Sequence, residues 1–340
     1  MHAFAASWRQ VKLRIRAQAH YHLAMIKRRG NRPLAVGIQL PEVERVVRWA
    51  EVQAMAISAD RLGFDSLWVG DHLIYRHDDG QGTGPWEAWS SLAAIAAVTK
   101  TIRIGPLVAA TGFHNPTILA KKAAAIDEIS DGRLVLGLGA GWNKTEYHAF
   151  GLAFDHRVSR FAEAFDIIRR LLRSETVDYK GKFYNAQSCE LFPKTKNPEG
   201  PPLLIGSIGP RVLRITLPHV QQWNAWYAWF GNSPEGLKPH LAQLDRACAA
   251  VGRDPHTLAR TVSLLVRAPK GIGRLTGRDS ASGNESPDIP ISGSPREVAR
   301  SIAQFASLGI AEVQLVVDPI TQESIEWCAQ ALEVLDTSYD

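Results

Sequence analysis

From residue 34 onward, short runs of aliphatic and β-branched residues alternate with longer stretches whose apolar residues recur at helical spacing. That alternation constrains the fold more than any other feature, because strands joined by helical crossovers lie parallel in one sheet. The first run, 34–40, stops at Pro41, and Val46, Trp49, Val52, Ala56, Ala59 and Leu62 then define one helical face. Further strand-like runs cover 64–69, 102–108, 134–139, 203–206, 223–229, 262–266 and 313–317, which makes eight. Helical patterns cover 88–98, 116–129, 159–173, a stretch starting at 210, 295–309 and 323–335. Ser294, Pro295 and Glu297 supply the N-cap, N1 proline and N3 glutamate of a capping box. Residues 177–184 read as a hairpin inside an irregular insertion. Residues 270–294, rich in Gly, Ser, Asp and Pro, read as a mobile loop that covers the site when ligands bind.

A doubly wound sheet shares this alternation, but near-even spacing and the lack of a clear linker favour closure. The expected fold is α/β: a single-domain (β/α)8 TIM barrel over residues 33–340, with insertions at the carboxyl-terminal face of the strands. A chain of 340 residues accommodates such a barrel with extensions. Residues 1–32 precede it as a basic extension. Between positions 9 and 32 stand Arg9, Lys12, Arg14, Arg16, Lys27, Arg28, Arg29 and Arg32, with no acidic residue. The arm reads first as solvated and poorly ordered. A nucleic-acid patch, a membrane-surface helix or a transit-type presequence are its other readings. The three cysteines (Cys189, Cys248 and Cys328) lie far apart, which suits a reducing cytoplasm and argues against a disulfide framework and a zinc site. No apolar run is long enough to span a membrane.

In a barrel of this kind the site lies where the strands end, so the residues just after each strand carry the chemistry. Asp71 and His72 follow the second strand and offer a carboxylate beside an imidazole that can move a proton near neutral pH. Gly137, Gly139 and Gly141, with Ala140, leave room for a flat ring against the backbone. Ser207, Ile208, Gly209 and Pro210 form a small-residue turn into a helix amino terminus, where free N–H groups attract phosphate. Trp142, Trp223 and Trp226 are candidates for a substrate cavity or for filling the barrel mouth. Each feature has a plainer alternative: a surface pair, packing glycines, an ordinary turn. Together they suit a planar cofactor that bears a phosphate. The chain has no GxGxxG, P-loop, HExxH or GxSxG context, which lowers nicotinamide-domain, NTPase, zinc-protease and hydrolase readings.

The run from Leu62 to His72, then Ile102 to Gly105, Asn115-Pro116, Gly132-Arg133-Leu134, Gly137 to Trp142 and Glu146-Tyr147, resembles the luciferase-like monooxygenase superfamily. Within it, the pattern is most similar to the branch that uses the deazaflavin coenzyme F420. The resemblance covers residues 34–317 in order. It implies a (β/α)8 barrel with the cofactor ring across the strand ends. By that likeness Asp71 and His72 flank the reactive ring, with His72 the proton donor or acceptor. Gly139, Ala140 and Gly141 would line the ring, and Ser207 to Pro210 would cradle the phosphate. Pro106, Leu107 and Val108 would form a third-strand bulge backing the ring, with a non-prolyl cis peptide expected at the Pro106–Leu107 bond. Two departures, Gln221-Gln222-Trp223-Asn224 without the acid often found there and Trp142 where some members carry an acid, weigh against sugar-phosphate oxidation.

The leading expectation is hydride transfer between coenzyme F420 and a small organic substrate, with an FMN-dependent monooxygenase using O2 as the alternative. A cofactor-binding protein without turnover and a nucleic-acid binder acting through the basic arm are further readings. The expected partner is a small-molecule substrate, with no nucleic acid, membrane or metal. A homodimer is compatible with the sequence.

Overall fold

The computed structural model describes residues 26–42, 44–76, 80–271 and 289–338. Eight barrel strands run in chain order: β1 (Ala35–Gln39), β2 (Ser66–Val69), β3 (Arg103–Pro106), β4 (Leu136–Gly139), β5 (Leu203–Gly206), β6 (Gln222–Ala225), β7 (Ala259–Arg267) and β8 (Ile310–Asp318). Each pairs in parallel with its neighbours, and β1 joins β8. After a two-residue break, β3 continues as Ala109–Ala110 and pairs with β4. With the parallel bridge from Ile104 to Leu134, this continuation closes the circle. The expected (β/α)8 barrel is the fold observed.

A helix follows every strand: α1 (Trp49–Arg61), α2 (Ala88–Val98), α3 (Pro116–Ile129), α4 (Lys144–Ala149), α5 (Arg157–Leu172), α6 (Pro210–Thr216), α7 (Pro234–Ala250), α8 (Pro295–Ala306) and α9 (Gln322–Thr337). The β4 crossover carries two of them. Local chemistry sets their starts. Asn115 accepts N–H bonds from Thr117 and Ile118 ahead of Pro116, and Ser294 and Glu297 form the expected capping box before α8. The main apolar core lies between strands and helices, with Leu92, Leu119, Phe161, Phe165, Ile302 and Leu332 all buried.

The barrel interior is largely polar. Asn224 donates to Thr261 Oγ1 at 2.9 Å and to Gln314 Oε1 at 2.8 Å, while Arg103 meets Glu312 at 3.2 Å. A small apolar cluster of Trp68, Leu107, Val135 and Leu204 sits apart from the main core. Outside the barrel, Arg133 ties the turn before β4 to its surroundings. Its guanidinium donates to Ser130 O, Thr99 Oγ1, Ile102 O, Ala96 O and Thr99 O.

Four local readings change. The hairpin pairs Val177–Lys180 with Asn185–Cys189, so residues 181–184 are its turn; Glu163 of α5 accepts the N–H groups of Lys182, Phe183 and Tyr184 there. The sixth strand ends at Ala225, and Tyr227–Trp229 form a short 3-10 turn. The helices α4 and α7 were not expected. The non-prolyl cis bond lies between Leu107 and Val108, one bond later than expected. Leu107 N still donates to Val69 O at 2.8 Å, so the ladder runs through Pro106–Leu107 and breaks only after it.

Residues 26–32 of the basic stretch pack on the barrel. Arg32 pairs with Asp65 and Asp336, Arg29 with Asp60, and Ile26 is buried against Ala35 and Ala259. Residues 1–25, and 272–288 of the loop expected to cover the site, lie outside the described residues. Among the described residues no helix is long and apolar enough to cross a membrane.

Candidate active site

The loop leaving β2 sends its two polar residues in different directions. Asp71 is buried, and its Oδ2 accepts from Ala110 N at 2.9 Å and lies 2.8 Å from His114 Nε2. It thereby anchors the resumption of β3. His72 turns instead to two glutamates. Its Nδ1 lies 3.0 Å from Glu146 Oε2 and 3.1 Å from Oε1, and its Nε2 lies 3.4 Å from Glu42 Oε1 and 3.0 Å from the Tyr75 hydroxyl. Burial opposes a charged ring, but Glu42, the hydrogen bond and charge of Glu146, and Asp71 outweigh it and push His72 up to about 9. Asp71 and His72, adjacent in sequence, are therefore not hydrogen-bonded partners.

Glu146 is the buried acid of α4, and it also accepts the N–H groups of Leu73 at 2.6 Å and Ile74 at 3.3 Å. One carboxylate thus holds both the imidazole and the loop that carries it. Glu42 follows β1, and Gln39 Nε2 donates to its Oε2 at 3.1 Å. Tyr75 and Trp142 stand around the imidazole, with ring centroids 4.8 Å and 5.9 Å from it and 6.0 Å from each other. Trp142 is among the exposed large apolar side chains, as a wall residue of an open mouth would be.

The break in β3 drives Val108 toward β4 and β5. A Cβ on Gly139 would come within 2.7 Å of Val108 Cγ2, and one on Gly206 within 3.0 Å of Val108 Cγ1. On Gly137 it would meet Pro106 O at 2.2 Å. These glycines therefore make room for the bulge itself, which is the packing alternative. Gly141 has a positive φ of 72° and faces the Tyr147 hydroxyl, which donates to Ala140 O at 3.1 Å. Arg157 donates to Gly141 O at 2.8 Å, so the segment from Gly139 to Trp142 is held from two sides.

Ser207 to Pro210 link β5 to α6. Gly209 N donates to Ser207 Oγ at 3.1 Å, and no side chain caps the helix. A Cβ on Gly209 would meet only Ser207 Oγ, at 3.5 Å, so the turn opens to space. The turn is braced from behind: Trp223 Nε1 donates to Ser207 O at 2.8 Å and Gln243 Nε2 to Ile208 O at 3.2 Å. Uncapped N–H groups beside an open glycine fit an anion.

The candidate Trp223 lies on the outer side of its strand. Asn224 faces the barrel interior, and strand alternation sends Trp223 to the opposite side, where it is buried in the core between strands and helices. Trp223 therefore supports the Ser207 turn from the side of the helices. Trp226 follows β6 partly buried against Tyr227, at 4.7 Å between centroids. His72, Tyr75, Trp142, Glu42 and Glu146 come together. Of these, sequence reasoning chose only His72 and Trp142 as site residues, and it also passed over His114. Glu146 was visible within a quoted motif, whereas Glu42 carried no local signal.

The family model for luciferase-like monooxygenase matches residues 29–268. The F420-dependent glucose-6-phosphate dehydrogenase of Amycolatopsis mediterranei is 33% identical over 165 residues, covering 47% of this chain and 48% of the relative. The 5,10-methylenetetrahydromethanopterin reductase of Archaeoglobus fulgidus is 31% identical over 169 residues, covering 50% of this chain and 47% of that one. The chain thus spans about half the length of these curated relatives. A solved F420-dependent secondary alcohol dehydrogenase in complex with an F420-acetone adduct superposes with a TM-score of 0.73 at 19% identity, covering 89% of this chain and 99% of that one. At that identity the likeness is one of fold.

Proposed function

The chain belongs to the luciferase-like monooxygenase family, and from that premise we propose that it is an oxidoreductase moving a hydride between the deazaflavin coenzyme F420 and a small organic substrate. The observation that carries the reading is the imidazole of His72, clamped between Glu42 and Glu146 in the loop after β2, next to Asp71, which holds Ala110 where β3 resumes. The naming of a relative for F420 dependence supports the choice of cofactor.

When bound, a deazaflavin would supply two-electron hydride chemistry. The chain's own residues do the rest. Pro106, Leu107 and Val108 would back the ring, Gly139, Ala140 and Gly141 would line it, and Asp71 fixes the bulge through Ala110 N. Ser207, Ile208, Gly209 and Pro210 would receive the phosphate at the uncapped start of α6. His72 holds the proton at Nε2, while Tyr75 and Trp142 give the substrate an aromatic wall. Trp226 is assigned to the same wall by its position after β6.

Equilibrium titration with F420 and with FMN, followed by cofactor fluorescence, tests the assignment. Tight F420 binding and weak FMN binding are expected. Retention of FMN with no measurable affinity for F420 overturns it in favour of an oxygen-using flavin monooxygenase.

A further inference from the structure

Leu67 and Val69 of β2 pack into the core between strands and helices, and alternation sends Ser66 and Trp68 to the barrel interior, where both are buried. Room for the indole comes from glycines on the two strands that flank β2. A Cβ on Gly37 of β1 would come within 2.9 Å of Trp68 Nε1, and one on Gly105 of β3 within 2.9 Å of its Cζ3. The ring is also oriented. Trp68 Nε1 donates to Ser66 Oγ at 2.7 Å, Ser66 Oγ donates to Glu312 Oε1, and Glu312 Oε2 lies 3.2 Å from Arg103 Nη2. Burying a charged pair is costly, so a barrel that needed only to be filled would do as well with apolar side chains.

The indole meets the broken part of β3. Trp68 shares a small apolar cluster with Leu107, Val135 and Leu204, and Val108 packs against that cluster. The ladder holds β3 as far as Leu107 N and again from Ala109. Between these points side-chain packing positions Val108: Gly139 and Gly206 leave it space, and the Trp68 cluster gives it support. We propose that Trp68 is a positioning residue of the cofactor site. Oriented through Ser66, Glu312 and Arg103, its indole supports Leu107 and Val108 from within the barrel and so sets the surface against which a flavin-type ring would rest. The inference rests on the reading that Pro106, Leu107 and Val108 back the ring, and it holds for a deazaflavin and a flavin alike. Trp68 reaches the ring only through its neighbours, so its effect on binding must depend on Val108.

The wild-type protein is first titrated with F420 and with FMN, and the one that binds is used throughout. Trp68→Phe should weaken its binding by about two- to tenfold, the range of coupling between touching residues, and alter the visible circular dichroism of the bound cofactor. Val108→Ala alone should also weaken binding, and the double variant should be little worse than Val108→Ala. Ser66→Ala keeps the indole but removes the acceptor of its N–H. It should show a smaller loss in the same direction, again absorbed by Val108→Ala, and it carries the cycle if Trp68→Phe folds poorly. A tryptophan that merely fills the barrel would lower the melting temperature of these variants and leave affinity and spectrum unchanged. That result, or additive losses in affinity, overturns the proposal. Binding of FMN alone overturns the F420 assignment, and the cycle with FMN then decides the role of Trp68. Binding of neither overturns both.

Discussion

Glu146 Oε2 lies 3.0 Å from His72 Nδ1, and the same carboxylate takes the Leu73 N–H at 2.6 Å. A buried acid on a six-residue helix therefore fixes the tautomer and direction of the imidazole together with the backbone that carries it. Sequence neighbours do not accomplish this; Asp71 is occupied with Ala110 and His114. Orientation through a carboxylate on the far ring nitrogen is a recurring way to hold a proton-transferring histidine.

Removing His72 and removing the charge that orients it should therefore differ in kind. His72→Ala should keep the fold and most cofactor affinity while lowering turnover by about 100- to 10,000-fold, the usual weight of a general acid–base group. Glu146→Gln keeps shape but loses charge, so it should cost less in turnover and move the alkaline limb of the pH–rate profile toward acid. Circular dichroism establishes folding, and pH–rate profiles make the comparison. An unmoved profile in Glu146→Gln removes its orienting role.

The same clamp links pH to stability. The folded-state value of His72 is raised from 6.5 to about 9, so the protonated ring is favoured in the folded chain. Its contribution should be fully present below about pH 6.5, decline as pH rises, and be lost above about pH 9. Denaturant titrations at a series of pH values should show this slope in the native protein and a flatter one in His72→Gln. Equal slopes in both would remove the histidine as its source.

Strand alternation was enough to place Asp71, His72, the Gly139–Gly141 segment and the Ser207 turn at strand ends, because barrel topology makes strand order and site position the same information. What it could not supply is which side chains meet. Glu42 reaches His72 from β1 and Glu146 reaches it from α4, across sequence gaps that carry no periodic signal. The long α7 was hidden by Pro239 in its interior, although Leu237, Leu241, Leu244 and Cys248 mark its buried face. The glycines of β4 suggested space for a ring. Packing shows that part of this space belongs to Val108, and the cis bond sits where Val108 leaves the ladder. The strand containing Trp223 was legible, but its pleat was set by the inward hydrogen bonds of Asn224.

Gly139 and Val108 should behave as one unit. Gly139→Ala places a methyl 2.7 Å from Val108 Cγ2, too close without movement of the bulge. The change should destabilise by about 1–3 kcal/mol, as overpacking does, and weaken cofactor binding. Val108→Ala should relieve much of that cost in the double variant. A double-mutant cycle on denaturation midpoints checks this, and simple additivity would separate the two residues.

Gly209 separates space from charge. Its φ of −70° suits any residue, and a Cβ there meets only Ser207 Oγ. Gly209→Ala should therefore leave thermal stability nearly unchanged and lower cofactor affinity little. Gly209→Glu puts a carboxylate where the phosphate belongs, at a helix start that attracts anions, and should lower affinity steeply. Calorimetric titration of both variants decides. Full affinity in Gly209→Glu removes the cradle.

Trp223 and Trp142 should part company in kinetics, since one supports the cofactor turn and the other faces the open mouth. Trp223→Phe keeps most of the buried ring but removes the N–H that Ser207 O accepts at 2.8 Å. Where water does not replace the lost partner, an unpaired carbonyl costs about 1–3 kcal/mol. Because that carbonyl belongs to the turn before α6, part of the loss should appear as weaker cofactor binding, with little change in preference among substrates. Trp142→Ala removes an exposed aromatic wall 5.9 Å from the His72 ring without touching the turn. Lost aromatic contact on the order of 1 kcal/mol would raise KM by several-fold for substrates that reach it, leaving cofactor affinity intact. Cofactor titrations and substrate-series kinetics on both variants read the two effects independently. If Trp223→Phe shifts substrate preference while cofactor affinity stays whole, the indole acts on the substrate after all, and its placement behind the strand does not describe its role.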